Sequence, residues 1–164
     1  GASAHLVLKL AKSLYPENRF YVFARSAKER AFAKELGAEW TGDISDKPPA
    51  RMKAVIDTTP VWKTVVCAME NLQPGGRLVI NAIRKENTDK GGLMLLDYGK
   101  HLWQEKEIKS VANVTRKDID EFLKLADKFG IKPQVELFHL EDAVTALKQI
   151  KQRQIRGAKV LTLS

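Results

Sequence analysis

Apolar residues along the chain follow two alternating spacings, one typical of amphipathic helices and one typical of short buried strands. Leu6, Leu10 and Leu14 recur at helical spacing and predict a first helix over residues 2–14. Apolar faces at the same spacing predict further helices over 26–36, 60–72, 117–129 and 140–151. Short apolar runs predict strands over 19–24, 39–42, 53–58, 77–83, 107–112, 134–138 and 158–163.

Strands that alternate with helices are typical of an α/β fold with a parallel sheet covered by helices on both faces. Capping-box pairs, which start helices, are Ser26 with Glu29 and Thr115 with Asp118. Thr59 is expected to cap the third helix, with Pro60 at its first position. Gly37 is suited to the end of the second helix. His5 is expected on the surface of the first.

Parallel sheets of this kind bind ligands at the carboxyl ends of their strands. The loops that begin at these ends start near Gly1, Ala24, Thr58, Asn81 and Ala112. These loops are therefore where binding residues are expected.

The first residues match the second half of a dinucleotide-binding fingerprint, in which small residues lie between a strand and a helix. Gly1 takes the place of its second glycine and Ala4 the place of its third small residue. The N–H groups of Ala2 and Ser3 would then bind a pyrophosphate at the positive end of the helix. A glycine at the start of a chain is equally compatible with no such role.

The end of the second strand distinguishes the two nicotinamide dinucleotides. NAD sites place a carboxylate there to bind the ribose hydroxyls, whereas this chain has Ala24 followed by Arg25 and Ser26. Arg25, Ser26 and Arg30 are suited to a 2′-phosphate, which a carboxylate would repel. The sequence therefore favours NADP over NAD, although Ser26 is also explained as a helix cap.

Composition and charge leave a second class of function open. The 164 residues include 28 Lys and Arg against 20 Asp and Glu, a formal net charge of +8. The last stretch, from Leu147 onwards, carries Lys148, Lys151, Arg153, Arg156 and Lys159 with no acidic residue. This balance permits a basic nucleic-acid-binding module. With the single cysteine Cys67 and no apolar run of membrane-spanning length, a cytoplasmic setting is expected.

Taken together, several strings give the chain a family resemblance over almost all of its length. They are GASAHLVLKLAK, VFARSAKERAFAKELGAEW, LQPGGRLVINAI, KSVANVTRKDIDEFL and VELFHLEDAVTALKQIKQRQIRGAKVL. The chain resembles the cofactor-binding part of the zinc-dependent alcohol dehydrogenases, within the medium-chain dehydrogenase/reductase superfamily. The resemblance implies a Rossmann-type, doubly wound parallel sheet flanked by helices, here without its first strand.

The resemblance also implies a role for individual residues of this chain. Gly1, Ala2 and Ser3 match the pyrophosphate turn, and Ala24 stands where NAD-using members carry an acid. The other matches are Thr58 near the adenosine, Asn81, Ala82 and Ile83 at the nicotinamide, Ala112 and Asn113 beside the carboxamide, and Arg156 at the pyrophosphate. The chain would thus contribute to hydride transfer between NADP(H), or NAD(H), and an alcohol or aldehyde.

Other features of the family have no counterpart in this chain. The zinc ligands of the family lie in an N-terminal domain whose motifs are absent from this sequence, so zinc is not expected to bind here. Residues 1–131 would form the dinucleotide-binding domain, and 132–164 the segment that returns toward the catalytic domain. The fragment alone would be inactive, and the resemblance is compatible with a homo-oligomer.

A methyltransferase that uses S-adenosylmethionine is the alternative enzyme class. The string LQPGGRLVI is typical of that class, because a Pro-Gly-Gly turn there precedes a strand. Such enzymes also need an acid after the second strand, where this chain has Ala24. Binding of NADPH or S-adenosylmethionine would discriminate between the two.

Overall fold

A computed structural model of the chain describes residues 2–152 and 154–163. The helices are α1 (Ala2–Leu14), α2 (Ala27–Glu35), α3 (Lys63–Asn71), α4 (Arg116–Lys128) and α5 (Ala143–Lys151). The strands are β1 (Tyr21–Phe23), β2 (Trp40–Gly42), β3 (Met52–Asp57), β4 (Leu72–Ile80), β5 (Glu107–Ser110), β6 (Val135–His139) and β7 (Ala158–Thr162). The predicted alternation of strands and helices is confirmed.

The strands pair in three groups. β1 pairs with β2, β4 lies between β3 and β5, and β6 pairs with β7. The pairings within the second and third groups are parallel, so the predicted parallel α/β class is confirmed. Met52 pairs with Leu72 and Ala54 with Arg77, which makes the Pro-Gly-Gly stretch of β4 an irregularity in the ladder.

The chain divides into two compact units, each with a core of its own. The first contains residues up to Val22, Ser26–Glu39 and the chain from Thr115 onwards, and the second contains Phe23–Arg25 and Trp40–Val114. The division of the chain at residue 131 stays a prediction.

In the second unit, α3 packs its apolar face on the sheet formed by β3, β4 and β5. Val65 and Met69 of α3 are buried together with Leu72 and Leu78 of β4. These positions recur at the helical period in α3 and alternate in β4, so one face of each element supplies the core. Lys106, which is also buried, donates to the carbonyl of Met69 near the end of α3 at 2.9 Å.

In the first unit, α1 and α2 share a small core made by Leu8, Ala33 and Ala38. Ser26 and Glu29 form the predicted capping box of α2, and Thr115 and Asp118 that of α4. Gly37 follows the end of α2 with a φ of +89°, the left-handed conformation that favours glycine there. No helix among residues 2–152 and 154–163 is long and apolar enough to span a membrane.

Several predicted boundaries were wrong; β4, for example, begins at Leu72 rather than at residue 77. α3 begins at Lys63 rather than beside Pro60, and the Thr59 hydroxyl donates to the Asp57 carboxylate and does not cap the helix. β4 ends at Ile80, which leaves residues 81–83 in a loop rather than in the strand. Apolar composition alone extended that strand too far.

The turn before β5 supplies a test of backbone strain. Gln104 and Glu105 are both exposed and adopt left-handed φ values of +73° and +60°, which cost free energy for any residue with a Cβ. We expect Glu105→Gly to raise the free energy of unfolding by about 0.5–1 kcal/mol, since glycine adopts this conformation freely but loses more chain entropy on folding. Urea denaturation measures the change. Glu105→Ala removes the same carboxylate but keeps a Cβ, and an equal gain for that variant would contradict the explanation.

Candidate functional site

The carboxyl ends of three parallel strands meet at one edge of the second unit's sheet. Asp57 of β3 pairs with Ile80 of β4, which in turn pairs with Ser110 of β5. Asn81 donates its N–H to the carbonyl of Asp57 at 2.8 Å, and Val111 donates to that of Ile80 at 3.2 Å. The loops that carry the predicted residues Thr58, Asn81 and Ala112 therefore start side by side, as the parallel arrangement predicts.

Asp57 is the most enclosed charged group at this edge, with 4% of its side chain exposed. Its Oδ1 accepts a hydrogen bond from the N–H of Thr59 at 3.0 Å and one from the Thr59 hydroxyl at 2.8 Å. Its Oδ2 accepts from the Lys85 ammonium group. The carboxylate thus has both a positive partner and neutral donors.

Lys85 connects the loop after β4 to the loop after β3. Besides binding Asp57, its Nζ donates to the carbonyls of Thr59 at 3.0 Å and Val61 at 2.8 Å. It also lies 5.6 Å from the centre of the Trp62 ring. Neither the charge pattern nor the spacing indicated this pairing, because Asp57 and Lys85 lie far apart in sequence.

Asp89 caps α3 from the far end of the same loop. Its Oδ2 accepts from the N–H groups of Trp62 at 2.7 Å and Lys63 at 2.8 Å. The bond from the Lys63 N–H, and then the one from Trp62, lower the pKa of Asp89 below its ordinary value of 3.8. Its Oδ1 and the Trp62 indole Nε1 are buried without a hydrogen-bond partner among the described residues.

The residues predicted to contact a nicotinamide lie in loops of the second unit. Asn81 is exposed, Ala82 is half-buried, and the Ile83 side chain is fully exposed at 107%. Ala112 and Asn113, predicted to lie beside the carboxamide, are exposed after β5. Asn113 has a φ of +58°, a conformation that asparagine tolerates better than most residues.

Ala24 and Arg25 directly follow β1. Ala24 is half-buried and donates its N–H to the carbonyl of Gly42 at 2.9 Å, while Arg25 is exposed. Ala24 itself carries no carboxylate at the position that follows β1.

In the first unit, the predicted phosphate-binding residues belong to two helix N-termini. Ala2 and Ser3 lie in the first turn of α1, where backbone N–H groups have no intrahelical acceptor; Gly1 lies outside the described residues. Ser26 caps α2, and its hydroxyl lies 3.0 Å from a Glu29 carboxylate oxygen. Arg30 is half-buried in the first turns of α2.

Arg156 has protein partners in this structure. Its guanidinium forms an ion pair with Glu35 at the end of α2 and lies 4.8 Å from the centre of the Phe32 ring. Both groups of the ion pair are more than half exposed, so the pair contributes little stability and can exchange partners at small cost.

His5 was assigned to the wrong environment by the sequence. It is buried, and its Nε2 accepts a hydrogen bond from the N–H of Gln134 at 3.1 Å. Helical periodicity could not reveal this contact, which comes from a segment remote in sequence. Among the described residues, no group of three or more His, Cys, Asp or Glu side chains is arranged to hold a metal ion.

Parallel strands flanked by helices, with candidate binding loops at their carboxyl ends, define a Rossmann-type α/β fold. The chain is similar in sequence to an alcohol dehydrogenase, in line with the resemblance noted in the sequence. It is 34% identical over 163 residues to the Probable alcohol dehydrogenase AdhA of Mycobacterium tuberculosis (strain CDC 1551 / Oshkosh). That alignment covers 99% of this chain and 45% of the relative, so the chain spans about half of its length. No family model matches the chain.

Solved structures show the same fold at lower sequence identity. The alcohol dehydrogenase of the archaeon Aeropyrum pernix matches 96% of this chain and 46% of its own, with a TM-score of 0.78 and 17% identity. CAD from Helicobacter pylori, solved in complex with NADP(H), matches 94% of this chain and 43% of its own, with a TM-score of 0.72 and 18% identity.

Capping of α3 by Asp89 generates a prediction with a defined pH dependence. We expect Asp89→Ala to lower the Tm at neutral pH, because two N–H groups lose their acceptor. Because folding lowers the pKa of Asp89, its ionised form stabilises the fold above pH 3.8, and this contribution is lost as the pH falls through the lower folded-state value. Thermal unfolding from pH 7 to pH 2 tests both effects.

The difference in Tm between Asp89→Ala and the unmodified chain should therefore narrow under acid conditions. Asp89→Asn keeps an oxygen acceptor without the charge, and it should lose less stability at neutral pH. A difference that stays constant down to pH 2 would contradict a charge-dependent cap.

Proposed function

We propose that this chain is the dinucleotide-binding part of an oxidoreductase that transfers hydride between a nicotinamide cofactor and an alcohol or aldehyde. The observation that carries the proposal is the meeting of three strand ends, which brings the loops of Thr58, Asn81 and Ala112 to one edge of a parallel sheet. These loops are the ones to which the family resemblance assigns the adenosine, the nicotinamide and the carboxamide. Homology to an alcohol dehydrogenase over nearly the whole chain supports the same function.

For the pyrophosphate we propose the first turn of α1. Ala2 and Ser3 lie where N–H groups remain free of intrahelical bonds and the helix dipole favours an anion. Arg156 is a second proposed contact, for which the phosphate would replace Glu35 as its partner. This exchange is feasible because the ion pair is exposed.

For the nucleotide we propose NADP in preference to NAD. The support is the absence of a carboxylate at Ala24 and the cationic side chains of Arg25 and Arg30. The Ser26 hydroxyl is close to the Glu29 carboxylate in the capping box, so we assign the 2′-phosphate mainly to the two arginines. The NADP(H) held by the similarly folded Helicobacter pylori protein is compatible with this choice.

The bound cofactor would supply or accept the hydride, while this chain would bind and orient it. We propose that the zinc of the family is held outside the described residues, which contain no suitable cluster of ligands. A cytoplasmic location and assembly into a homo-oligomer belong to the same proposal. The alcohol or aldehyde substrate would be contacted largely by residues outside this chain.

Nucleotide binding is the direct test. We expect isothermal titration calorimetry to show binding of NADPH to the chain and none of S-adenosylmethionine at the same concentrations. Binding of S-adenosylmethionine alone would overturn the proposal in favour of a methyltransferase. A DNA or RNA titration at low salt tests the nucleic-acid alternative, since phosphate-dependent affinity falls steeply as salt is raised.

Nucleotide preference is tested at Ala24. We expect Ala24→Asp to weaken NADPH binding at least about tenfold, which is about 1.4 kcal/mol, because its carboxylate repels the 2′-phosphate. Binding of NADH should be unchanged or stronger, since the same carboxylate can accept from the ribose hydroxyls. Calorimetry with both nucleotides measures the preference.

Ala24→Asn is the matched control, because it adds a side chain of the same size without the charge. An equal loss of NADPH binding in both variants would show that the size of the new side chain, and not its charge, weakens binding. That result would remove the argument for NADP at this position.

A further inference from the structure

We propose that Lys85 is a positioning residue that fixes the loop carrying Asn81–Ile83 against the loop that follows β3. The inference rests on the proposed function, in which these residues face the nicotinamide ring. Lys85 would not contact the cofactor itself. It would determine where the ring-contacting residues lie before the cofactor arrives.

The two loops are joined at several points within the second unit. Lys85 binds the side chain of Asp57 and the carbonyls of Thr59 and Val61. The next residue, Glu86, donates its N–H to the carbonyl of Pro60 at 2.7 Å. The loop after β4 is therefore attached to the loop after β3 by both side-chain and backbone bonds.

Other contacts between the two loops could not compensate for the loss of Lys85. Its side chain is 10% exposed and that of Asp57 is 4% exposed. An ammonium group has three donors, and each of them has an acceptor here. Removing Lys85 would leave a buried carboxylate without its cation and two carbonyls without this donor, a combination that strongly disfavours the present loop arrangement.

The residues predicted to contact the nicotinamide make few packing contacts that could hold them in place. Ile83 is fully exposed and Asn81 is exposed. The N–H of Asn81 is fixed to the carbonyl of Asp57, and the chain is fixed again at Lys85. A short segment with both ends attached is ordered before a ligand binds, which reduces the entropy lost on binding.

The first experiment needs no cofactor. Amide hydrogen exchange is compared between the unmodified chain, Lys85→Met and Arg84→Met, since Arg84 is an exposed cation of the same loop. We expect faster exchange at Asn81 and Glu86 in Lys85→Met and unchanged exchange in Arg84→Met. Unchanged exchange in Lys85→Met, or an equal increase in both variants, would overturn the proposal.

A second variant tests whether faster exchange reflects the local loss of Lys85 or a general loss of structure. Asp57→Asn combined with Lys85→Met removes the uncompensated carboxylate, yet it still lacks the donors to Thr59 and Val61. Circular dichroism confirms that it is folded. Faster exchange confined to residues 81–86 in this double variant supports the proposal, and exchange identical to that of the unmodified chain overturns it.

The second experiment separates the two halves of the cofactor. We expect Lys85→Met to weaken NADPH binding about tenfold, and to weaken binding of adenosine 2′,5′-bisphosphate, which lacks the nicotinamide, clearly less. Equal losses for both ligands would contradict a positioning role at the nicotinamide. The proposed function fails if the unmodified chain does not bind NADPH, whether or not it binds adenosine 2′,5′-bisphosphate. The exchange experiment would still decide whether Lys85 orders the loop.

Discussion

A carboxylate buried at the end of a strand needs compensation, and Asp57 meets this requirement by organising the loops around it. An isolated buried charge is costly, and it persists only with an opposite charge and additional hydrogen bonds. Asp57 obtains its charge partner from Lys85 in the loop after β4 and its neutral donors from Thr59 in the loop after β3. Two loops that could otherwise move independently are thereby held together at the edge of the sheet where the cofactor is proposed to bind.

Polar groups also hold α3, the helix that connects β3 to β4. The Thr59 hydroxyl donates to Asp57 and does not cap the helix, whose first N–H groups are instead bound by Asp89 from the other loop. Near the last turn of α3, the carbonyl of Met69 accepts a hydrogen bond from Lys106. The pKa of Lys106 is lowered chiefly because burial disfavours its charge. Polar groups thus fix both ends of a helix whose middle is held by apolar contacts of Val65 and Met69.

Local patterns in the sequence predicted the elements well and the site only in part. The apolar spacing of Leu6, Leu10 and Leu14 and the Ser26–Glu29 box depend on neighbours along the chain, and both predicted helices form. The Asp57–Lys85 pair and the contact of His5 with Gln134 join residues distant in sequence, for which a single sequence contains no signal. Thr59 illustrates the limit, because α3 begins four residues after it and is capped by Asp89, which is remote in sequence.

Several of the cationic side chains of the chain are buried or paired in the structure. Lys85 and Lys106 lie in the second unit with their charges turned to Asp57 and to backbone carbonyls. In the first unit, Lys159 has a side chain only 3% exposed and pairs with Glu136. A nucleic-acid-binding surface requires exposed cations that can exchange solvent ions for phosphates, and buried lysines cannot do this. Because an ion pair is neutral, the pairs of Lys85 and Lys159 withdraw two cations from the surface without changing the net charge of +8, whereas buried Lys106 withdraws one that counts toward it.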